Sequence, residues 1–176
     1  MSFPEVTDAN LLNVRMKNVA NQVYLCIRKD KQGKPILSTK TLHSEVDPDV
    51  DFSLYYYTSA EAGETKMVLP VHQNTKFCFS MTPSKEIQIS SLVRKSDGNE
   101  LDGELEDPMH FERADNRFFY IWKSGDNYAL EAMDGEHRYY FLSLDDSNRI
   151  ELKEVPDLNY PEETLFRIDE IHINSS

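Results

Sequence analysis

The residues of this chain best suited to chemistry are its five histidines and two cysteines. Imidazole and thiolate groups bind zinc when they recur at short, regular spacings. Neither Cys26 nor Cys78 has a second cysteine within a few residues, and the histidines are scattered along the chain. The sequence therefore predicts no metal site and no cofactor; the histidines are His43, His72, His110, His137 and His172.

Asp47, Asp49 and Asp51 resemble the first ligands of a calcium-binding loop, in which oxygen ligands alternate along the chain. The pattern fails at the sixth position, where the loop requires Gly and this chain has Phe52. It fails again at the twelfth, where Thr58 replaces the bidentate Glu. The short motifs of serine hydrolases, phosphate-binding loops and zinc proteases are also missing from the sequence. We therefore expect a protein that binds a partner rather than an enzyme.

Cys26 and Cys78 allow two interpretations. Both lie in predicted strands, where a small apolar side chain suits packing beside a core. A disulfide or a redox switch is the alternative. Two cysteines are too few for a disulfide framework, which favours a protein made in a reducing compartment.

The formal charge of −12 restricts the partners. It repels nucleic acid and anionic lipid head groups, so we expect neither a nucleic-acid nor a membrane partner. No apolar block approaches the roughly 18–20 residues of a membrane span. The first residues show neither the basic nor the apolar segment of a secretory signal peptide. We expect the partner to present a basic or mixed surface.

Alternating apolar and polar residues, rich in β-branched and aromatic side chains and bounded by turn residues, predict twelve short strands. No periodicity typical of a helix occurs in the last part of the chain. The predicted strands are residues 11–18, 22–28, 35–40, 51–57, 66–71, 75–81, 86–92, 117–123, 128–133, 138–144, 149–154 and 164–171.

These strands form three sets of four. Tyr24, Phe77 and Tyr140 are expected at equivalent places in the second strand of each set, 53 and 63 residues apart. Three four-stranded units predict an all-β fold, the β-trefoil, in which a six-stranded barrel is capped by three hairpins. A closed barrel also removes exposed sheet edges. A β-sandwich with twelve strands is the alternative.

The length of 176 residues suits one domain with a core of its own. We expect residues 11–171 to form a single β-trefoil domain, with an N-terminal extension at 1–10 and a C-terminal tail at 172–176. Residues 96–107 contain six acids and two glycines without periodicity, which predicts a solvated surface loop.

Over essentially its whole length the chain resembles the interleukin-1 family of cytokines. Residues 130–144, LEAMDGEHRYYFLSL, carry most of the resemblance: an apolar-acid-small run, a turn, and an aromatic strand ending in small residues. Ala132 and the turn at 134–136 depart from the family, which usually has Ser and then Pro or Gly there. Residues 51–81 and 163–168 also resemble the family. Residues 13–37 are most similar to interleukin-18 and residues 141–155 to interleukin-33, so the branch stays open between these two.

The resemblance implies a monomeric signalling protein without catalytic activity. It would be cytoplasmic before release and reach the extracellular space by unconventional secretion. There it would bind a primary immunoglobulin-like receptor ectodomain and recruit an accessory receptor to trigger inflammatory signalling. A receptor antagonist or decoy on the same fold is the alternative. In the family an acidic residue just before the last strand favours agonism. The matching neighbourhood here is Glu162-Glu163-Thr164-Leu165, and alignment with Leu165 would leave agonism open.

Receptor recognition requires exposed polar groups around a few buried anchors. We expect the contacts on the side formed by the second and third strands, and in the turn that follows residue 144. An ordinary solvated role is the alternative for each residue. The expected receptor-binding residues are Lys29, Lys31, Lys34, Lys40, His43, Asp145, Asp146, Asn148 and Arg149.

Three other classes of β-trefoil protein fit the sequence less well. A protease inhibitor needs a rigid reactive loop, for which the acidic segment 96–107 is the candidate. A carbohydrate-binding trefoil repeats a Gln-x-Trp element, but this chain has one tryptophan, Trp122. A growth factor of the fibroblast type needs a basic heparin site, which a charge of −12 contradicts.

Overall fold

The computed structural model describes residues 3–59, 66–92, 105–134 and 138–171. Within these ranges the chain forms twelve β-strands, and short 3-10 turns at Pro48–Val50, Pro108–His110 and Glu162–Thr164 precede β4, β8 and β12. The strands are β1 Val6–Asn18, β2 Tyr24–Lys29, β3 Pro35–Lys40, β4 Phe52–Ser59, β5 Lys66–His72, β6 Phe77–Met81, β7 Ile87–Ser91, β8 Phe119–Ser124, β9 Asn127–Ala132, β10 Tyr140–Leu144, β11 Ile150–Glu154 and β12 Leu165–Glu170.

Six of these strands close a barrel. They pair antiparallel in the order β1, β4, β5, β8, β9 and β12, and β12 returns to β1. The other six form three hairpins, β2–β3, β6–β7 and β10–β11. The chain is therefore an all-β β-trefoil of twelve strands in three four-stranded units, as the sequence predicts.

The barrel core repeats with the threefold pattern of the strands. Three fully buried phenylalanines lie near the starts of barrel strands: one is the first residue of β4, one is the first of β8 and one is the second of β12. Each pairs with the last residue of a neighbouring barrel strand, at the point where the chain leaves for a hairpin. The three pairs are Phe52 with His72, Phe119 with Ala132, and Phe166 with Asn18.

The predicted equivalence of Tyr24 with Phe77 and Tyr140 is wrong by one residue. Each second strand of a unit is approached through a residue with positive φ: Gln22 at 57°, Lys76 at 62° and Tyr139 at 73°. The residues that follow are Val23, Phe77 and Tyr140: Val23 is buried in the main core, and the partly buried Phe77 and Tyr140 pack against it. Val23 and Tyr24 both favour a strand. Matching Tyr24 to the other two aromatic residues therefore shifted the predicted register of the first unit by one residue.

Strand β1 begins at Val6, five residues before its predicted start. Val6 pairs with Ser59 of β4, and Glu5 forms a bridge with Arg113. Residues 6–10, predicted as an extension, are therefore part of a barrel strand. The pairing register with β4 shifts between Thr7 and Asn10, where Asp8 has a φ of 56°. This irregularity interrupts the alternation of apolar and polar residues by which a strand is recognised in the sequence.

The two cysteines are buried free thiols on β2 and β6. Burial raises the pKa of Cys26 to about 11 and that of Cys78 to about 12. The packing interpretation is therefore confirmed, and no disulfide joins these two residues. Several predictions fall outside the described residues: His137, His172, the tail at 172–176 and most of the acidic segment 96–107.

Candidate partner-binding surface

Several polar side chains of the described residues are completely buried. Within the described ranges, no group of three or more His, Cys, Asp and Glu side chains is placed to hold a metal ion. The polar residues with no exposed surface at all are Asn18, His72, Glu131, Ser143 and Thr164. No helix in the same ranges has the length and apolar character that crossing a bilayer requires.

His72 holds two loops together at the end of β5. Its Nε2 lies 2.9 Å from the carbonyl oxygen of Asp49, which can only accept, so Nε2 carries the proton. Its Nδ1 accepts from the backbone N–H of Thr75 at 3.3 Å. Burial lowers the pKa of His72, which favours this neutral form. The ring also packs edge-on against Phe52. Both ring nitrogens and the ring itself therefore make structural contacts.

Asn18 is the equivalent residue of the first unit, and its side chain also joins two loops. Its side-chain oxygen accepts from the backbone N–H of Asn21 at 3.0 Å. Its Nδ2 donates to the carbonyl oxygen of Glu163, also at 3.0 Å, in the turn before β12. A polar residue at this position therefore links a hairpin's leading loop to the 3-10 turn before the fourth strand of a unit.

Glu131, on β9, is the buried group that sequence reasoning missed. Its carboxylate accepts from Trp122 Nε1 at 2.9 Å, from the backbone N–H of Tyr139 at 2.7 Å and from Arg138 Nε at 2.9 Å. The Arg138 guanidinium lies over the rings of Tyr120 and Tyr139. With these three donors the carboxylate fixes the chain entering β10. The signal that could have found Glu131 is an acid in an otherwise apolar strand, YALEA.

The three hairpins end in one turn geometry. In each, the first turn residue donates its N–H to the carbonyl oxygen of the fifth, and the fourth has positive φ. A φ near +60° to +80° suits Gly and Asn better than other residues. The turns are Asp30–Lys34 with Gly33, Thr82–Glu86 with Lys85, and Asp145–Arg149 with Asn148.

The first hairpin, β2–β3, is longer than the other two. The pair Ile27–Leu37 of the first hairpin is equivalent to the pair Met81–Ile87 of the second. In the first hairpin two further residue pairs, Arg28–Ile36 and Lys29–Pro35, separate this position from the turn. The extension carries the turn with Lys31 and Lys34 away from the barrel.

The elements that carry the two predicted groups of receptor contacts are neighbours in the fold. Asn21, in the loop before β2, donates through Nδ2 to the carbonyl oxygen of Asp145 and to the side-chain oxygen of Asn148, both at 2.8 Å. Strands β3 and β11 also contact each other. The first hairpin and the β10–β11 turn are therefore adjacent in the fold.

Three of the predicted contact residues also have structural roles. Lys40 pairs with Asp47 at 2.9 Å and Asp49 at 3.4 Å, and the hydrogen bond to Asp47 raises the pKa of Lys40. Asp145 accepts from the N–H groups of Ser147 and Arg149, and the latter bond lowers the pKa of its carboxyl group. Asn148 supplies the positive φ of the turn. The remaining six are exposed: Lys29, Lys31, Lys34, His43, Asp146 and Arg149.

The first hairpin carries a local excess of positive charge. Residues 24–40 contain five basic residues and one acid, a net charge of +4, whereas the whole chain carries −12. Residues 140–154 of the third hairpin contain two basic residues and four acids, a net charge of −2. The first hairpin is therefore a local basic surface on an acidic protein.

Comparison with solved structures supports the architecture. A structure described as "BEL beta-trefoil apo crystal form 3" matches over 97% of this chain and 100% of its own, with a TM-score of 0.58 at 10% sequence identity. Neither a protein-family model nor a curated protein sequence matches the chain. A likeness at this identity shows the fold alone: the chain is a β-trefoil.

Proposed function

We propose that this protein is a cytokine of the interleukin-1 kind. It binds a primary immunoglobulin-like receptor ectodomain as a monomer and then recruits an accessory receptor, which triggers inflammatory signalling. The β-trefoil fold, which that family shares, supports the proposal, as does the resemblance of residues 51–81 and 130–144. The resemblance leaves the interleukin-18 and interleukin-33 branches as equal candidates.

One observation carries the proposal furthest. The elements that carry the two groups of expected contact residues, more than 100 positions apart in the sequence, are neighbours joined by the hydrogen bond from Asn21 to Asn148. Most of their charged groups are exposed. A surface of this kind offers charged groups for recognition around a fixed backbone, which suits a specific protein partner.

The buried polar groups hold loops in place through hydrogen bonds, which agrees with a binding role without catalysis. His72 and Glu131, the groups most able to transfer protons, have their ring nitrogens and carboxylate oxygens occupied by hydrogen bonds that hold loops. We propose that the protein is not an enzyme.

We propose that the protein acts outside the cell after release from the cytoplasm by unconventional secretion. Cys26 and Cys78 are buried thiols with raised pKa values, and thiols of this kind react slowly because the thiolate is the reactive form. Slow thiol chemistry of this kind supports the proposed transfer from a reducing to an oxidising compartment without disulfide formation.

A receptor antagonist is the second candidate. The position aligned with the acidic residue that favours agonism is Leu165, which is buried at the start of β12. The nearby acid Glu163 is paired with Lys153 at 2.6 Å. Glu162, in the same turn before β12, is exposed, so the antagonist candidate rests on the alignment at Leu165 alone.

Binding to immobilised ectodomains of the interleukin-1 receptor family tests both candidates. Each primary receptor is measured alone and paired with its accessory chain. A saturable complex that tightens with the accessory chain supports the agonist, and binding without tightening supports the antagonist. Absence of binding to every ectodomain contradicts the proposed function.

A further inference from the structure

Residues 3–7, which we call the N-terminal strap, lie between two distant parts of the chain. On one side Val6 pairs with the last residue of β4. On the other side Glu5 forms an antiparallel bridge with Arg113, and two backbone hydrogen bonds of 2.9 Å flank this bridge. The strap therefore fills a slot between the end of β4 and residues 112–114.

The slot offers apolar and charged contacts as well as backbone pairing. Val6 is buried in an apolar cluster that also contains Tyr57, and Phe3 packs against the same cluster. The guanidinium of Arg113 donates to the carbonyl oxygen of Phe3 at 2.7 Å and to the carboxylate of Glu5 at 3.1 Å. These are the features by which proteins bind an extended segment: main-chain pairing, a pocket for alternate side chains and a charged partner.

A strained hinge connects the N-terminal strap to the rest of β1. Asp8 has a φ of 56°, and the pairing register shifts between Thr7 and Asn10. This region of φ is unfavourable for a residue that carries a Cβ atom. All three residues are exposed, and a cleft of about 360 Å³ runs beside the strap. The hinge can therefore change conformation without disturbing the core.

We propose that the slot also binds the N-terminal strap of a second copy of this chain, so that two molecules exchange straps and form a symmetric dimer. The contacts between strap and slot are the same in the monomer and in the dimer, because the two chains are identical. The hinge is the difference. In the dimer it extends, and the Asp8 residue of each chain leaves the strained conformation.

Two terms oppose this gain. Association costs translational and rotational freedom, and two chains of charge −12 repel each other. Salt screens the repulsion between the chains. The dimer is therefore expected at high protein concentration and raised salt, in equilibrium with the monomer. The inference goes beyond the proposed function and does not depend on a receptor.

Two variants, each with one added cysteine, test the exchange. Glu5 and Arg113 face each other as a non-hydrogen-bonded antiparallel pair, whose usual Cα separation of roughly 4.5 Å suits a disulfide. Each chain of a mixture of Glu5→Cys and Arg113→Cys carries one of the two cysteines. The disulfide between positions 5 and 113 can therefore form only when the strap of one chain occupies the slot of the other.

A mixture of Glu5→Cys and Lys123→Cys is the control, because Lys123 is exposed and its strand pairing is with β9. Both mixtures are oxidised mildly at raised salt, and the linked peptides are counted by mass spectrometry. We expect roughly tenfold or more of the 5–113 link compared with the 5–123 link, because the slot gives the first pair a high effective concentration. Equal amounts of the two links would overturn the exchange.

The hinge provides a second measurement without added cysteines. Glycine adopts a positive φ without strain, so Asp8→Gly should favour the monomer, whereas the β-branched side chain of Asp8→Val should favour the dimer. Each dimer opens two hinges, so we expect the Kd of the dimer to rise roughly tenfold for Asp8→Gly and to fall roughly tenfold for Asp8→Val. Sedimentation at several concentrations measures both. Asp8→Val chains that stay monomeric at every concentration would contradict the proposal and leave the receptor-binding function untouched.

Discussion

The Nδ2 atom of Asn21 lies 2.8 Å from the side-chain oxygen of Asn148, 127 residues further along the chain. The same nitrogen donates to the carbonyl oxygen of Asp145 at 2.8 Å. One amide therefore joins the loop before the first hairpin to the turn of the third. This side chain therefore helps to hold the β10–β11 turn beside the loop that leads into the first hairpin.

Asn21→Asp removes both hydrogen bonds with almost no change in shape. A carboxylate cannot donate, so it would face the two oxygens of the β10–β11 turn as a third acceptor. We expect a loss of about 1–2 kcal/mol in the free energy of unfolding, which lowers Tm by roughly 2–8 °C. Calorimetry or denaturant unfolding measures the loss.

Asn74→Asp is the matched control. Asn74 is exposed in the loop before β6, and the same change of charge there is expected to leave Tm within about 1 °C. Equal melting temperatures for the two variants would show that Asn21 does not hold the third hairpin in place.

Glu131→Gln should loosen the entry to β10. The carboxylate accepts from Trp122, Arg138 and Tyr139, and the amide group of glutamine would turn a donor towards one of these donors. We expect a loss of about 2–3 kcal/mol, since hydrogen bonds to a buried charged group are stronger than neutral ones. Trp122 is the single tryptophan of the chain, so its fluorescence reports the site directly. An unshifted emission spectrum together with an unchanged Tm would refute this role for Glu131.

The corrected register makes a prediction about the core. Phe79 is fully buried in β6, packed against Phe52 and Phe119, whereas Phe77 is half-buried. Phe79→Ala should therefore cost about 3–5 kcal/mol, and Phe77→Ala clearly less, about 1–3 kcal/mol. Denaturant unfolding of the two variants gives the comparison. A larger loss for Phe77→Ala would mean that the strand register is wrong.

The depressed pKa of His72 predicts a dependence of stability on pH. Above its ordinary value near 6.5 the imidazole is neutral in both the folded and the unfolded chain. As the pH falls below this value, the unfolded chain binds the proton first, because burial lowers the folded pKa. The free energy of unfolding should therefore fall with decreasing pH and level off once the pH passes the folded pKa.

His72→Gln separates this contribution from those of other groups. Glutamine can donate to Asp49 and accept from Thr75 as the neutral imidazole does, but it does not titrate. The difference in unfolding free energy between the protein and this variant should change as the pH falls through the range below about 6.5. The exposed His43 provides the control variant, His43→Gln. A difference that stays constant over that range would exclude His72 as the source.

Most of the fold follows from local patterns. Alternation and turn residues locate all twelve strands, and their grouping in fours identifies the barrel and hairpins. The errors occur where a local pattern is ambiguous. Val23 and Tyr24 both suit a strand, and the irregularity at Asp8 interrupts the alternation of β1. Register and bulges depend on tertiary pairing, which overrides strand propensity.

The candidate surface is less accessible to sequence reasoning. Charge and position suggest Lys29, Lys31, Lys34 and Arg149, but the pairing of Lys40 with Asp47 appears only once the chain is folded.

Hydrogen exchange of the protein, free and bound to the primary receptor ectodomain, tests the central claim most directly. We expect slower exchange in residues 28–38 and 145–150, which form the first hairpin and the β10–β11 turn, and unchanged exchange at 119–128 in β8 and β9. Protection confined to the opposite end of the barrel would contradict the proposed surface. Absence of binding to every receptor of the family would contradict the cytokine function itself.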